Sequence, residues 1–526
     1  MTICVRWPRA RVYNSPMMNC SACFPVSIGQ KNKSRSCARL LQPRVNRPQL
    51  SMLQTGNRRP VNQNELCYLT ITEAAAGFRR KEYSPVELTG ALLKRIESID
   101  AKLHCFITLT AELALRQAKQ AEQELRSGKD RGPLHGIPIA VKDLYMTNGI
   151  RTTCHSAVLE NWLPNFNATT VAKLQDAGAI LFGKLGMHEF AFGGPSVDAP
   201  FPAVRNPWST AHIPGGSSSG SAAALAAGLC YGSLGSDTGG SIRTPSSHCG
   251  VVGIKPTYGR VSRHGVVPLS WSLDHAGPMA RSVEDCAIIL QTIAGYDAKD
   301  PASADAAVPN FRNGIGHGIK GMRIGVPRVG WFDENLGVDR QTETAFNRAL
   351  EMLEELGATI IEIDGKPFSH ARKANQTILV CEAYAYHEKR LQQAPEKFGS
   401  SVRRRILEGA FLSAADYITA QRARAVLNEQ IRANFTLVDV FATPSAPRPP
   451  EAFATMDPNE QNLRPSFTNP FNLTGLPAIS VPCGFTHENL PVGLQIGARS
   501  FDETTAFRVA HAYEQATKWH KQRPVL

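Results

Sequence analysis

Short apolar segments that alternate like strands are interleaved with helical segments along the chain, and this pattern constrains the fold more than any other feature. A helix is predicted from Pro85, because Ser84 can cap it and Glu87 completes a capping box. Residues 137–141 then alternate as a strand does. Short strands interleaved with helices are typical of α/β proteins, whose sheet is covered by helices on both faces. We therefore predict an α/β fold in a single large domain spanning residues 65–526.

The same pattern recurs towards the C-terminus. It predicts helices at 170–177, 282–295 and 339–356, strands at 179–182, 359–363, 478–481 and 494–496, and a last helix that begins near Asp502. The stretch 221–234 consists mostly of Ala, Gly and Ser, which favours a tightly packed internal helix and strand. No run approaches the roughly 18 uncharged apolar residues of a membrane-spanning helix, so we expect no membrane association.

The positive charge of the chain is concentrated at its N-terminus. The formal net charge is +13, but residues 1–64 contain eleven Lys or Arg and no Asp or Glu. The rest of the chain is therefore nearly neutral. Because a nucleic-acid-binding surface needs basic residues clustered on the folded body, the charge does not predict binding to nucleic acid.

Residues 1–60 form a basic tail that we exclude from the folded domain. An Arg-rich, acid-free N-terminus is typical of an organelle transit peptide, and a start at Met52 within an over-extended reading frame explains it equally well. We accordingly predict a cytoplasmic protein, or a mitochondrial or other organelle protein if the tail is a transit peptide. Cys20 and Cys23 form a CxxC without a second pair at zinc-site spacing, so no metal site is predicted.

The segment Gly215–Ser221 reads GGSSSGS and precedes an Ala-rich helical stretch. It lacks the Gly-Lys-Ser/Thr end of a phosphate-binding loop, and a flexible linker is at odds with the helix that follows directly. Residues 216–220 match the G-x-S-x-G nucleophile elbow of α/β-hydrolases. That motif needs a buried strand before it, whereas residues 206–214 have the composition of a loop. We reject all three interpretations.

Two further strings accompany this segment at wide spacing. Gly136–Asp143 reads GIPIAVKD and Ser236–Arg243 reads SDTGGSIR. In this order and spacing the three strings resemble the amidase signature family, whose members carry a Lys, a Ser in a GGSS motif and a nucleophilic Ser in a GGS motif. The resemblance runs from about residue 65 to the end, through GKL at 183–185, EF at 189–190, GIKPTYGRV at 253–261, PAISVP at 477–482 and GLQ at 493–495. It implies a mixed central β-sheet.

The resemblance assigns the catalytic roles to Ser241 as nucleophile, Ser217 as proton relay and Lys142 as base. A serine hydroxyl is a weak nucleophile at pH 7 and needs a base to accept its proton. A lysine can be that base if burial lowers its pKa towards about 7–8, since desolvation disfavours the ammonium form. Lys142 follows the apolar strand 137–141, which is a suitable place for such burial.

An amide must also be polarised before its carbon–nitrogen bond breaks, and the resemblance implies an oxyanion hole for this step. By this resemblance the backbone N–H groups of Thr238, Gly239, Gly240 and Ser241 supply the oxyanion hole. The resemblance also implies that the Gly216–Ser217 peptide bond is cis. The scheme requires neither a metal nor an organic cofactor, so we predict none.

Other catalytic assignments for the same residues are weaker. The string Asp237-Thr238-Gly239 is found in aspartic proteases, but those need two copies and the chain has one. Asp274-His275 could complete a Ser-His-Asp triad on paper, yet neither lies in a catalytic string of the family. Arg243 and Asp237 flank the proposed nucleophile, either as a structural ion pair or as a substrate contact.

The family includes stand-alone amidases and the A subunit of glutamine-dependent tRNA amidotransferases, which generates ammonia from glutamine within a complex. The amidotransferase members have an Asp seven residues before the Asn of the I-P-x-N-L-x-G string, and it contacts the glutamine amino group. Here Pro465 stands seven residues before Asn472, although a shifted alignment brings Glu460 there. We therefore predict a stand-alone amidase for a small amide. The alternative is the amidotransferase subunit, and only this alternative requires partner subunits. A homodimer is compatible with the sequence. The third interpretation is a non-catalytic scaffold of the same fold.

Overall fold

The computed structural model describes residues 63–195, 198–329, 337–456 and 466–526. The predictions for the tail at 1–60, and for Pro465 and Glu460, lie outside these residues. The described residues belong to one compact unit. No described helix combines the length and the apolar character needed to cross a membrane.

A mixed sheet of eleven strands runs through the described chain, in the order β1-β3-β2-β4-β6-β5-β10-β11-β9-β7-β8. The strands are β1 Phe106–Leu109, β2 Pro138–Lys142, β3 Ile180–Leu185, β4 Gly232–Asp237, β5 Val252–Lys255, β6 His275–Ala280, β7 Arg323–Val329, β8 Thr359–Asp364, β9 Val440–Pro444, β10 Ala478–Phe485 and β11 Pro491–Gly497. Strand β2 pairs in parallel with β3 and β4, and β7 with β8 and β9, while the other pairs are antiparallel. The predicted mixed sheet is confirmed.

Helices flank this sheet, as predicted for an α/β fold. They are α1 Gln63–Leu66, α2 Ile71–Arg79, α3 Pro85–Leu103, α4 Ala111–Arg126, α5 Thr169–Asp176, α6 Ser219–Ala226, α7 Arg243–Cys249, α8 Val283–Ile293, α9 Arg340–Glu355, α10 Lys366–Gln393, α11 Ser400–Leu407, α12 Ala414–Ala433, α13 Asn469–Leu473 and α14 Glu503–Ala516. The capping box of Ser84 and Glu87 is formed at the start of α3, so the local start signal determined this helix end.

The small-residue stretch 221–234 forms the end of α6 and the start of β4, and both elements are completely buried. A Cβ atom added to Gly220 would lie 2.6 Å from the Gly186 backbone, and one on Gly232 would lie 2.5 Å from the Ile289 side chain. Small residues are therefore favoured where α6 meets the loop after β3 and where β4 meets α8. This close packing brings the loops that precede α6 and follow β4 next to the end of β2.

Candidate active site

Lys142 is the last residue of β2 and is completely buried. Its Nζ donates a hydrogen bond to Ser217 Oγ at 2.7 Å and another to Ser236 Oγ at 2.9 Å. Ser217 precedes α6, and Ser236 is the penultimate residue of β4, the strand next to β2. The sequence predicted that Lys142 contacts Ser217. It did not predict the contact with Ser236, although Ser236 lies in the string 236–243.

Burial lowers the pKa of Lys142 from its ordinary value to about 7, although the carboxylates of Asp237 and Asp274 favour its charged form. Near neutral pH a large fraction of this amine is therefore unprotonated. An unprotonated amine has a lone pair that can accept a proton from the Ser217 hydroxyl. The family resemblance assigned Lys142 as the base, and the apolar strand before it predicted its burial.

Ser217 follows two glycines, and the Gly216–Ser217 peptide bond is cis, as the resemblance implied. A Cβ atom on Gly216 would lie 2.2 Å from the ring of His188, so the loop has no space for a side chain there. The backbone N–H of His188 donates a hydrogen bond to the Ser217 carbonyl at 3.0 Å. Backbone contacts thus hold Ser217 in place beside Lys142.

Ser241 lies in the loop between β4 and α7, and it lines the same cavity as Ser217. Its carbonyl accepts a hydrogen bond from the Ser218 N–H at 3.2 Å, which joins the two serine-bearing loops. Among the hydrogen bonds of the described residues, none joins the Ser217 and Ser241 hydroxyls. The predicted cluster is therefore linked from Lys142 to Ser217, and Ser241 faces the same space.

Asp237 and Arg243 form a completely buried ion pair, with Arg243 Nη2 2.9 Å from Asp237 Oδ1. The Asp237 carboxylate also accepts the N–H groups of Gly240 and Ile242, at 2.8 and 3.1 Å. Burial opposes its ionisation, but Arg243, Lys255 and the amide of Asn472 outweigh this and hold the pKa of Asp237 below its ordinary value. The sequence left open whether Arg243 and Asp237 form a structural ion pair or contact the substrate. In the structure they form the ion pair, and this pair fixes the loop that carries Ser241.

The same contact changes the predicted oxyanion hole. The Gly240 N–H donates to Asp237, and Gly240 does not line the cavity, unlike Thr238, Gly239 and Ser241. The described chain provides no acceptor for the N–H groups of these three residues. They are the candidates for binding an oxyanion, whereas the Gly240 N–H serves to hold the loop.

Contacts to two carbonyls on the other side of the loop set the direction of the Gly239 and Gly240 N–H groups. Thr468 Oγ1 donates to the Gly239 carbonyl at 2.6 Å, and Asn375 Nδ2 donates to the Thr238 carbonyl at 3.4 Å. In a planar trans peptide the N–H points opposite to the C=O. Binding of the Thr238 carbonyl therefore directs the Gly239 N–H away from Asn375. No sequence signal identified Asn375 or Thr468.

The cavity has a volume of about 290 Å³. Its described lining contains three arginines, Arg372, Arg405 and Arg448, and a single acid, Glu451. Burial lowers the pKa of Arg405 to about 10, so its guanidinium is still charged at pH 7. The cavity therefore has a positive lining with one carboxylate, which suits a small substrate that carries an acidic group.

The alternative acid–base residues do not form a triad with either serine. Asp274 accepts a hydrogen bond from Thr238 Oγ1 at 2.6 Å and from the Leu269 N–H at 2.8 Å. His275 Nδ1 lies 2.7 Å from the Leu273 carbonyl. Within the described structure these residues therefore support the loop that bears Thr238. The Ser-His-Asp interpretation is excluded by these contacts.

Comparison with known proteins agrees with this geometry. Residues 87–507 match the Amidase family. The A subunit of the glutamyl-tRNA(Gln) amidotransferase of Carboxydothermus hydrogenoformans is 42% identical over 488 residues, which cover 88% of this chain and 100% of that protein.

Two solved structures have the same fold over most of their length. The A subunit of the glutamyl-tRNA(Gln) amidotransferase of Thermotoga maritima is 35% identical, with a TM-score of 0.70 over 88% of this chain and 96% of that one. The native peptide amidase of Stenotrophomonas maltophilia is 30% identical, with a TM-score of 0.76 over 86% and 98%. These matches span the three strings and the sheet that positions them, and the chain belongs to the amidase signature family of enzymes, which act on carbon–nitrogen bonds.

Proposed function

We propose that the chain releases ammonia from glutamine as the A subunit of a glutamyl-tRNA(Gln) amidotransferase. The observation that carries this proposal is the 42% identity to such a protein over its whole length. The sequence favoured a stand-alone amidase because of Pro465, but the relatives favour the amidotransferase. Partner subunits follow from the same proposal, since the relatives are named as one subunit of an enzyme.

In the proposed mechanism the Ser241 hydroxyl attacks the amide carbon. Its proton passes to Ser217 while the Ser217 proton passes to the unprotonated amine of Lys142, 2.7 Å away. The N–H groups of Thr238, Gly239 and Ser241 stabilise the negative oxygen. The relay then returns a proton to the nitrogen, ammonia leaves, and an ester on Ser241 remains. Water hydrolyses this ester through the same relay.

The lining of the cavity supports a substrate with charged groups. The α-carboxylate of glutamine would be attracted by Arg372, Arg405 and Arg448, and its α-ammonium by Glu451. A volume of about 290 Å³ matches a small molecule, so the acceptor tRNA is expected to bind elsewhere in the complex.

This function is tested by measuring ammonia release from glutamine and from butyramide, which keeps the side-chain amide but lacks both charged groups. We expect glutamine to be the better substrate, with turnover rising when the partner subunits of the same organism are added. Butyramide and the Ser241→Ala enzyme are the controls.

A stand-alone amidase is the second candidate, and Pro465 together with the higher TM-score of the peptide amidase favours it. The isolated chain would then hydrolyse butyramide or a peptide amide without partner subunits. Turnover of those amides with no use of glutamine, alone or in the complex, would replace the amidotransferase proposal by this one.

The pH profile of turnover is expected to follow Lys142. Because the relay needs the neutral amine, kcat/KM should rise tenfold per pH unit below about 7 and level off above about 8. The profile is measured with saturating partner subunits and glutamine as substrate. A lysine of ordinary pKa would instead give activity that still rises at pH 9–10, which would contradict the proposed role.

Thr468→Val is expected to lower kcat about fivefold while leaving the melting temperature nearly unchanged. The variant loses one hydrogen bond to the Gly239 carbonyl, and such a bond contributes about 1 kcal/mol. Thr474→Val is the matched control, since this buried hydroxyl donates to Pro470 and does not line the cavity. Equal kcat values for the two variants would show that the contact with Gly239 has no catalytic effect.

A further inference from the structure

A second cavity lies between α9, the end of β10 and the C-terminal end of α14, and we call it the α9–α14 groove. Its volume is about 580 Å³, larger than that of the catalytic cavity, and the two share no lining residue. This volume falls in the range of about 300–1,000 Å³ found for small-molecule sites. Neither the sequence strings nor the proposed mechanism uses any residue of the groove.

Three cations line the groove: Arg340, Arg348 and Lys518. Among the described residues, none of these three exposed side chains has an ion pair or a hydrogen bond, and no Asp or Glu belongs to the described lining. Three cations in a concave lining that contains no described acid give the groove a positive potential, although Glu343 and Glu351 lie nearby on α9.

The two arginines are exposed side chains of α9 that line the groove. Arg340 occupies the first position of α9, where the helix dipole disfavours a cation. A glutamate follows each arginine three residues later, yet neither ion pair forms, and Glu343 lies instead 3.9 Å from Arg328. Arg340 and Arg348 are eight residues apart, so they lie on one face of the helix. Because neither arginine is engaged by a described acid, both remain available to an anion in the groove.

The opposite wall of the groove carries aromatic side chains beside Lys518 and His487. Trp519 is 36% exposed, and its ring lies 6.0 Å from that of Phe485. Met352 continues the arginine-bearing face of α9 into the groove. A planar apolar group would bury area against these side chains, while an anionic group on the same molecule would meet the arginines.

From these features we infer that the α9–α14 groove binds a small anion with an aromatic body, of the aryl carboxylate class, separately from the substrate. The cations supply binding to the carboxylate, and Trp519 and Phe485 supply the contact with the ring. Both parts of the ligand are needed, since inorganic anions lack the apolar contact and neutral aromatics lack the charge.

The test uses the full chain and 2-naphthoate as the probe, with binding measured by calorimetry. We expect Arg340→Gln and Arg348→Gln each to weaken binding about tenfold, and added salt to weaken it further. Arg422→Gln is the matched control, because this exposed arginine on α12 lies outside the groove. Neutral 2-naphthylmethanol and acetate should bind at least about tenfold more weakly than 2-naphthoate.

Four results would overturn the proposal. The first is absence of 2-naphthoate binding to the full chain at millimolar concentration, and the second is equal binding by the Arg340→Gln, Arg348→Gln and Arg422→Gln variants. The third is loss of binding when partner subunits are added, which would assign the groove to an interface within the complex. If an α9 variant does not fold, Lys518→Gln replaces it, because Lys518 lies after the last residue of α14. Competition by 2-naphthoate against the amide substrate would place the probe in the catalytic cavity and equally reject the assignment.

Discussion

Ser241→Ala is expected to reduce turnover about 10⁶-fold, the size of loss that serine hydrolases show without their nucleophile. The variant retains Lys142, Ser217 and the backbone donors, but it has no oxygen that can form the acyl ester. It should also fail to react with a fluorophosphonate probe, which labels activated serines. Ammonia release and mass spectrometry of the labelled protein measure the two effects.

Ser218→Ala is the control for this experiment. Ser218 is buried in the same loop as Ser217, and its hydroxyl donates to the Ser236 carbonyl at 3.2 Å. It does not line the cavity, so its loss should leave probe labelling in place. If the Ser241→Ala enzyme were still labelled at another serine, the nucleophile would have to be reassigned.

Lys142→Ala is expected to lower turnover by about 10²–10⁴-fold, the usual contribution of a general base. The nucleophile remains, so labelling by the fluorophosphonate should become slow instead of disappearing. Lys255→Met is the matched control, because Lys255 is a second completely buried lysine whose Nζ donates to the Leu476 carbonyl at 2.6 Å. We expect that variant to lose stability more than kcat.

The double variant Lys142→Ala/Ser217→Ala tests whether the two residues act as one relay. Removing either one interrupts the proton path, so the second removal should add little, and the combined loss should be far smaller than the product of the single losses. The measurement is kcat/KM for all four enzymes at pH 8. Multiplicative losses would mean that Lys142 and Ser217 act independently.

The local elements of this protein follow from its sequence. The capping box at Ser84 and the helix that starts after Asp502 depend on residues a few positions apart. Their bounds could be predicted because hydrogen bonds to the nearest backbone groups determine them. The strings around Lys142 and Ser217 are also local features of the sequence. Their residue types are suited to a buried base and to a tight loop.

Only the tertiary structure decided which residues contact the side chains and backbone groups of these strings. Ser236 reaches Lys142 because β4 lies beside β2 in the sheet, and Asp237 holds the Gly240 N–H because Arg243 and Asn472 stabilise its charge. Thr468 lies more than 200 residues from the carbonyl that it binds. Contacts of this kind depend on the order of strands and on the packing of loops, since no local preference of the chain specifies a partner at such a separation.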